Sequence, residues 1–258
     1  MEYHNLIVEK EGPLTLVTLN RPEVRNALDM ATWREIDGVI GELEADSQVR
    51  VVIITGAGEK AFAAGADIRF MRERSMLETF RGEGQRILSR WETMDKVTIA
   101  AINGFALGGG CEMAMACTLR VAAESARLRL PEVKLGIIPG YAGTQRLSRL
   151  VGKGRAFELI LTGEPITAQE AYRIGLVNQV TAAKDLIPMA EALARKILAN
   201  GPVAVRLALE AVHHGMEMTQ QEGEFLEATL FGLCCTTADM KEGTRAFLEK
   251  RPPKFTGR

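Results

Sequence analysis

The sequence predicts an α/β fold with parallel strands, followed by a helical C-terminal region. Three observations carry this prediction. Apolar, β-branched runs such as Val49–Thr55 are typical of strands buried on both faces. Amphipathic helical stretches separate these strands, which favours crossover connections over meanders. From about Ala183 onward every segment is helical. We therefore expect residues 1–197 to form the α/β core and residues 198–258 to form the C-terminal helical region.

The first half of the chain alternates strand and helix signals. Residues 5–9 and 14–19 are predicted to pair as a hairpin. Apolar residues at three- and four-residue steps predict a helix from Asp29 or Met30 to Glu44, with Asp29 as its N-cap. A strand at Val97–Ile102 is predicted to be buried. The other predicted elements are a helix beginning near Asp67, a helix over 77–94, a helix from Cys111 to Cys117, strands at 119–122, 127–130 and 177–180, helices over 144–151 and 155–162, and a helix with a capping-box signature at Thr167–Glu170.

The C-terminal region contains no strand signal. Helices are predicted over 185–199, 202–214, 219–233 and 238–249, with Gly201 and Pro202 between the first two. Several of these helices are apolar on more than one face. Because such faces need a covering surface, we expect this region to make contacts between subunits.

Composition excludes several classes of partner. The 258 residues include 32 basic and 33 acidic side chains, a net charge of -1, so we expect no nucleic acid partner. No apolar run has the length of a membrane span, and we expect no membrane partner. The N-terminus lacks the features of a signal peptide. Four cysteines and three histidines show no metal-ligand spacing, so we predict no metal site and a cytoplasmic location.

The stretch over 97–147 combines the features of a binding site. A buried strand leads into Gly108–Gly110, and a helix of small residues follows directly. Glycines there let a ligand approach the backbone, and the first turn of a helix offers unpaired N–H groups with positive dipole charge. Glu112 lies in that turn, and Glu132 follows the next strands. A second loop of small residues at 63–66 could direct another N–H group to the same carbonyl oxygen, stabilising an enolate.

Each of these features also has a purely structural interpretation. The glycine run could serve tight helix–strand packing, and it matches neither a P-loop nor a dinucleotide-binding fingerprint. An acid such as Glu112 is favoured in any first helical turn. Glu132 could pair with Arg127, Arg129 or Lys134. Taken together, two acids near an anion-binding turn suggest general acid–base chemistry.

Four segments in order, KAFAAGADI, AAINGFALGGGCEMAMAC, LPEVKLGIIPG and GTQRLSRLVG, resemble the enoyl-CoA hydratase (crotonase) family, and most closely its short-chain hydratases. The similarity extends through nearly the whole chain. The resemblance implies a ClpP-like spiral of ββα repeats with a C-terminal helical region, assembled as homotrimers that often pair into homohexamers. It also implies a coenzyme A thioester as substrate, with no metal and no other cofactor.

The resemblance assigns catalytic roles to four positions. The amides of Ala66 and Gly109 match the oxyanion hole around the thioester oxygen. Glu112 and Glu132 match the two hydratase glutamates. By the usual family assignment, Glu112 orients and deprotonates the attacking water, and Glu132 supplies or takes the proton at the α-carbon.

Five further positions match coenzyme A contacts. Ala64, Asp67 and Ile68 belong to the segment expected to meet adenine and pantetheine. Lys250 matches a C-terminal lysine that reaches the nucleotide in relatives. Glu23 stands where several relatives carry a basic residue near the coenzyme A phosphates, and we expect Arg25 to take over that contact.

The function predicted from these matches is the reversible hydration of trans-2-enoyl-CoA to 3-hydroxyacyl-CoA. Alternatives with the same fold are a 3-hydroxybutyryl-CoA dehydratase and an enoyl-CoA isomerase, although isomerases of the family generally keep one of the two glutamates. Alternatives without catalysis are an RNA-binding relative, for which the mixed charges over 69–86 are unfavourable, and an acyl-CoA-binding relative. Tyr141 and Ala142 stand where the family more often has small residues, and we expect Tyr141 to narrow the acyl pocket.

Overall fold

Two β-sheets and the helices that connect them form the core of the chain. The computed structural model describes residues 3–66 and 82–258. The strands are β1 (Leu6–Glu11), β2 (Leu14–Leu19), β3 (Val51–Gly56), β4 (Ala61–Ala63), β5 (Val97–Ile102), β6 (Phe105–Leu107), β7 (Leu119–Ala123), β8 (Arg127–Arg129), β9 (Ile166–Thr167) and β10 (Gln179–Thr181). The helices are α1 (Met30–Ala45), α2 (Glu83–Glu92), α3 (Gly109–Met115), α4 (Gly143–Val151), α5 (Lys153–Thr162), α6 (Ala168–Arg173), α7 (Leu186–Leu198), α8 (Pro202–Gly215), α9 (Gln220–Cys235) and α10 (Ala238–Leu248). Short 3-10 turns lie at Pro22–Val24, Glu132–Leu135 and Ala183–Asp185.

The strands of the described residues divide between a large and a small sheet. The large sheet has six strands in the order β1-β2-β3-β5-β7-β10, and the small sheet has four in the order β4-β6-β8-β9. Every neighbouring pair in the large sheet is parallel except the β1–β2 hairpin. In the small sheet β4, β6 and β8 are parallel, and β9 is antiparallel to β8. The predicted parallel α/β core is therefore confirmed.

The chain alternates between the two sheets as it advances. β3, β5 and β7 lie in the large sheet, and each is followed by a short strand of the small sheet (β4, β6 or β8) and then by a helix. This succession is a spiral of ββα repeats, as the family resemblance implied. Because β4, β6 and β8 are parallel neighbours, their C-terminal ends lie at the same end of the small sheet. The segments that follow these three strands therefore come together.

The large sheet is buried on both faces. Along β3, Val52 and Ile54 face the main core while Val51 and Ile53 face a second apolar layer. Helix α7 covers this second layer with Leu186 and other apolar residues. Burial on both faces explains why the β3 sequence is continuously β-branched instead of alternating with polar residues.

Several predicted boundaries need correction. Helix α3 begins at Gly109, two residues before the predicted Cys111, because the glycines that disfavour a helix are buried here against the neighbouring loop. Strands β4 and β6 were not predicted. Each has three residues and is defined by its parallel partner and not by any periodicity of its own. The helix predicted near Asp67 lies outside the described residues.

Helix caps follow the sequence closely, with one exception. The Asp29 side chain accepts a hydrogen bond from the Thr32 amide at the start of α1, as predicted. At α6, Thr167 caps the Glu170 amide, but the Glu170 carboxylate pairs with Arg173 and not with the cap. The predicted capping box is therefore only half formed.

The C-terminal region is helical through α8, α9 and α10, as expected from its sequence. The division at residues 197 and 198 falls at the end of α7, and the extent of each region remains a prediction. Among the residues that the structure describes, none of the helices combines the length and apolarity needed to span a bilayer.

Candidate active site

The turn between β6 and α3 is the centre of the site. Gly108 adopts a positive φ of 50° there, a conformation that glycine takes without steric cost. Its amide donates to the Arg129 carbonyl at the end of β8. A Cβ on Gly108 would lie 2.7 Å from Oε1 of Glu132, so the carboxyl reaches the backbone only because the residue is glycine.

A second loop, residues 63–66, packs against this turn. Gly65 has a φ of 90°, and a Cβ on it would lie 2.7 Å from the Leu107 carbonyl oxygen and 3.5 Å from the Gly109 amide nitrogen. From the other side, a Cβ on Gly109 would lie 3.7 Å from the Ala66 amide nitrogen. The two loops therefore bring the amides of Ala66 and Gly109 close to each other.

Neither amide is used inside the described parts of the chain. Gly109 is the first residue of α3, so its N–H group has no partner within the helix. Ala66 forms a single parallel bridge with Leu28. The hydrogen bond of this bridge runs from the Leu28 amide to the Gly65 carbonyl and does not use the Ala66 amide. No backbone bond from Ala66 or Gly109 is found over residues 3–66 and 82–258. Two donors without a partner among the described residues, one of them backed by a helix dipole, can stabilise an oxyanion.

Glu112 is buried in the first turn of α3, with 1% of its surface exposed. Its Oε1 accepts hydrogen bonds from the amides of Tyr141 and Gly143, both at 2.8 Å. These bonds fix the carboxyl in addition to any stabilisation by the helix dipole. Both amides go to the same oxygen, and Oε2 receives no donor from the described residues.

Glu132 lies in the 3-10 turn after β8 and is also buried, with 8% exposed. Among the described residues, its Oε2 has no hydrogen-bond partner. The three basic residues considered as its partners are engaged elsewhere: Arg127 and Arg129 donate to backbone carbonyls, and Lys134 pairs with Glu164. The ion-pair interpretation of Glu132 with these three residues is therefore wrong.

Burial controls the protonation of both acids. It raises the pKa of Glu112 to about 7, an effect strengthened by the charge of Glu132 and opposed by the Gly143 and Tyr141 amides. Burial also raises the pKa of Glu132. Two acids that influence one another titrate as a couple. Burial raises the pKa of the neighbouring Cys111 to about 12, so this thiol stays protonated and is not a nucleophile.

The predicted coenzyme A contacts divide into three groups. The amide of Ala64 donates to the Arg25 carbonyl at 3.0 Å, which places Arg25, with its exposed side chain, beside the oxyanion loop. Asp67 and Ile68 lie outside the described residues. Lys250 follows α10, and its amide donates to the Phe247 carbonyl. No hydrogen bond or ion pair within the described ranges joins Lys250 to the glutamates.

Sequence reasoning missed the residues that hold Glu112. The amides of Tyr141 and Gly143 carry no side-chain signal, because any residue provides an N–H group. We expected Tyr141 to narrow the acyl pocket; its amide donates to Glu112, its ring lies beside Gly84 and Gly109, and the ring packs edge-on against Trp33 at 5.3 Å. A buried arginine, Arg146, was also missed. Its place at the start of an amphipathic helix gave the only available signal.

These residues place two backbone amides and two buried carboxyls around the turn at Gly108. The chain belongs to the enoyl-CoA hydratase/isomerase family, whose model matches residues 9–258.

Individual relatives support the same placement over nearly full length. The chain is 51% identical to the short-chain-enoyl-CoA hydratase of Clostridium acetobutylicum over 253 residues, covering 97% of each chain. It is 48% identical to the crotonyl-CoA hydratase of Syntrophomonas wolfei, covering 99% of each. Among solved structures, enoyl-CoA hydratase from Bacillus anthracis is similar with a TM-score of 0.95 and 42% identity, over 99% of this chain and 100% of that one.

Proposed function

We propose that this chain catalyses the reversible hydration of trans-2-enoyl-CoA to 3-hydroxyacyl-CoA through the oxyanion donors Ala66 and Gly109 and the pair Glu112 and Glu132. The reaction class, a hydro-lyase acting on enoyl-CoA, is supported by family membership and by relatives of about half-identical sequence that are named hydratases. The roles of the four residues are supported by their geometry.

The single observation that carries the mechanism is the position of two buried carboxyls around Gly108. Glu112 donates its amide to the Gly108 carbonyl, and Glu132 reaches the same glycine from the opposite segment of chain. An isomerase needs one such acid to move a proton. Two acids that form no ion pair with the described residues suit a reaction that handles a water molecule and a proton at adjacent carbons.

In the proposed reaction the thioester oxygen binds between the Ala66 and Gly109 amides. Oε2 of Glu112 takes a proton from water as the water oxygen bonds to the β-carbon. The electron pair of the double bond moves toward the thioester, and the two amides stabilise the enolate oxygen. Glu132 gives its proton to the α-carbon. The raised pKa of Glu132 favours the protonated form that this step requires.

We infer a short acyl substrate. Two relatives are named for short-chain or crotonyl substrates. Tyr141 is nearly buried, and its ring lies 3.3 Å from the point where a Cβ on Gly109 would be. A ring at that position takes space beside the oxyanion donor, where a long acyl chain would need it.

We propose that the coenzyme A part of the substrate is held by Ala64, Asp67, Ile68, Arg25 and Lys250. The location of Arg25 beside the 63–66 loop supports its part in this contact. The chemistry moves water and a proton only, so the proposed mechanism uses no metal and no cofactor other than the coenzyme A of the substrate.

We propose a homotrimer or homohexamer in the cytoplasm. Large apolar side chains on the C-terminal helices support the assembly, since Phe225, Phe231 and Phe247 are 78%, 69% and 82% exposed in the isolated chain. The four cysteines are unpaired, which agrees with a reducing compartment.

The test is loss of the ultraviolet absorbance of the conjugated thioester when crotonyl-CoA is added. We expect Glu112→Gln and Glu132→Gln each to lower kcat by at least about 100-fold, with binding of a saturated acyl-CoA retained. Glu59→Gln, which changes an exposed carboxyl, is the matched control. Full activity in either site variant would rule out the glutamate pair, and conversion of a 3-enoyl ester without hydration would identify an isomerase.

A further inference from the structure

The turn that holds Glu112 is itself fixed by a buried arginine. Arg146 lies in the first turn of α4 and is 6% exposed. Its Nη1 donates to the Tyr141 carbonyl at 2.6 Å, and its amide donates to the Ala142 carbonyl at 2.9 Å. Tyr141 therefore receives Arg146 at its carbonyl and gives its own amide to Glu112.

The guanidinium is anchored from a distant part of the sequence. Oε2 of Glu92 accepts from Nε at 3.0 Å and from Nη2 at 2.7 Å. Glu92 is the last residue of α2, so the pair ties the end of that helix to the 141–143 turn. The planar fork of arginine meets both partners at once, which the point charge of lysine does not reproduce.

The pair is only partly buried, since the Arg146 side chain is 6% exposed and the Glu92 side chain is 31% exposed. Taking two charges out of water has a cost, and apolar residues of similar volume are often as stabilising, so the pair is weak evidence for a role in stability. The turn it supports is also under strain, because Ala142 has a φ of 65°. The distinctive property of Arg146 is therefore where it directs the turn: toward Glu112.

We propose that Arg146, anchored by Glu92, is a positioning residue for the reaction, fixing the 141–143 turn and through it the orientation of the Glu112 carboxylate. This inference rests on the proposed function, because it acts through Glu112.

The charge of Arg146 has a second, separable effect. It lowers the pKa of Glu112 in opposition to burial. Removing the charge should raise the pKa of Glu112 further. Since Glu112 must be ionised to accept a proton from water, the rise of kcat with pH should then occur at higher pH.

The experiment compares Arg146→Gln, Arg146→Lys and Glu92→Gln in steady-state hydration of crotonyl-CoA from about pH 5 to about pH 9. We expect Arg146→Gln to lower kcat by about 10- to 100-fold with little change in KM, and to move the rising limb of the profile to higher pH. Arg146→Lys should leave the rising limb of the pH profile near its position in the parent protein, because the positive charge remains. It should still lower kcat, because the guanidinium fork that meets two partners is lost. Glu92→Gln should lower kcat less than Arg146→Gln.

Arg149→Gln is the matched control, since Arg149 lies one turn further along α4 and pairs at the surface with Glu217. It should leave kcat and the profile unchanged. A folded Arg146→Gln variant with the parent's kcat and pH profile would overturn the proposal. So would a profile of unchanged position with activity reduced only in proportion to the folded fraction.

A second readout does not depend on the reaction. Carbon-13 NMR of glutamate-labelled protein follows the titration of Glu112, assigned by comparison with Glu112→Gln. Arg146→Gln should shift this titration to higher pH. If the parent hydrates no enoyl-CoA while the titration shifts, the proposed function fails and the positioning of Glu112 stands. If hydration is normal and the titration does not shift, the proposed function stands and the positioning of Glu112 by Arg146 fails.

Discussion

At the scale of single residues, burial and ionisation oppose each other at Glu112. The residue is almost completely buried, and the desolvation that raises its pKa makes the ionised form costly. Two backbone amides and a buried arginine lower that cost without removing it. A general base with a pKa near the working pH is well suited to take a proton and return it.

The raised pKa of Glu112 predicts how stability depends on pH. The folded state holds the proton up to about pH 7, whereas the ordinary glutamate value is 4.5. Between these values the folded state binds more protons than the unfolded state, so the free energy of unfolding falls as pH rises. Glu112→Gln should remove this loss, and its stability relative to the parent should increase from about pH 4 to about pH 8 by up to roughly 3 kcal/mol.

Urea unfolding at several pH values and one protein concentration measures this difference. Glu59→Gln, which removes an exposed carboxyl, is the control and should not show the same dependence. A constant stability difference between Glu112→Gln and the parent over this range would mean that Glu112 ionises in the folded state as freely as in the unfolded state.

Gly109 allows the oxyanion donor to be tested at one atom. Gly109→Pro removes the N–H group at the first position of α3, where proline is tolerated by helices. Gly109→Ala keeps the N–H group and adds a Cβ that meets the Tyr141 ring at 3.3 Å. We expect proline to lower kcat for crotonyl-CoA by about 100- to 1000-fold, and alanine to lower it much less. Equal losses in the two variants would assign the effect to crowding and not to the donor.

At the scale of elements, the sequence predicts the strands and helices that have a local signal of burial or capping. It misses the strands that form only because a neighbouring strand pairs with them. The β-branched run of β3 and the capped start of α1 are local signals, and both were found. Strands β4 and β6 are too short to show a period and exist because a parallel neighbour completes them. Glu112 and Glu132 stood out as two acids near an anion-binding turn. Their backbone partners did not, because the contact with Tyr141 spans 29 positions of sequence.

The 141–143 turn carries strain that can be released. Ala142 has a φ of 65° and is the N-cap of α4. A side chain in this conformation is unfavourable, and glycine relieves the clash at some cost in unfolded-state entropy. We expect Ala142→Gly to stabilise the protein by about 0.5–1 kcal/mol, measured by urea unfolding.

Ala192→Gly provides a control of opposite sign. Ala192 is an exposed residue inside α7, where glycine should destabilise the helix by about 1 kcal/mol. Destabilisation by Ala142→Gly would mean that the side chain at this position makes contacts worth more than the strain.

At the scale of the whole molecule, the C-terminal helices of the isolated chain leave large apolar side chains exposed. The core buries its large apolar residues, while α9 and α10 expose several phenylalanines and leucines. Exposed apolar surface of this extent marks an interaction site in most proteins. The homo-oligomer proposed above would cover this surface with further copies of the same chain.

The proposed assembly through the C-terminal helices gives the last prediction. Phe225 lies on α9 with 78% of its surface exposed, and replacing it with glutamate would place a charge in the proposed interface. Because a buried unpaired charge is costly, we expect Phe225→Glu to shift the mass measured by light scattering from a multiple of 28.2 kDa toward that of one chain. Ile7→Glu, a change at an exposed apolar residue of β1, is the control and should leave the mass unchanged. A parent protein that is monomeric at micromolar concentration would remove the assembly altogether. Loss of assembly in Ile7→Glu with none in Phe225→Glu would move the interface from the C-terminal helices to the hairpin.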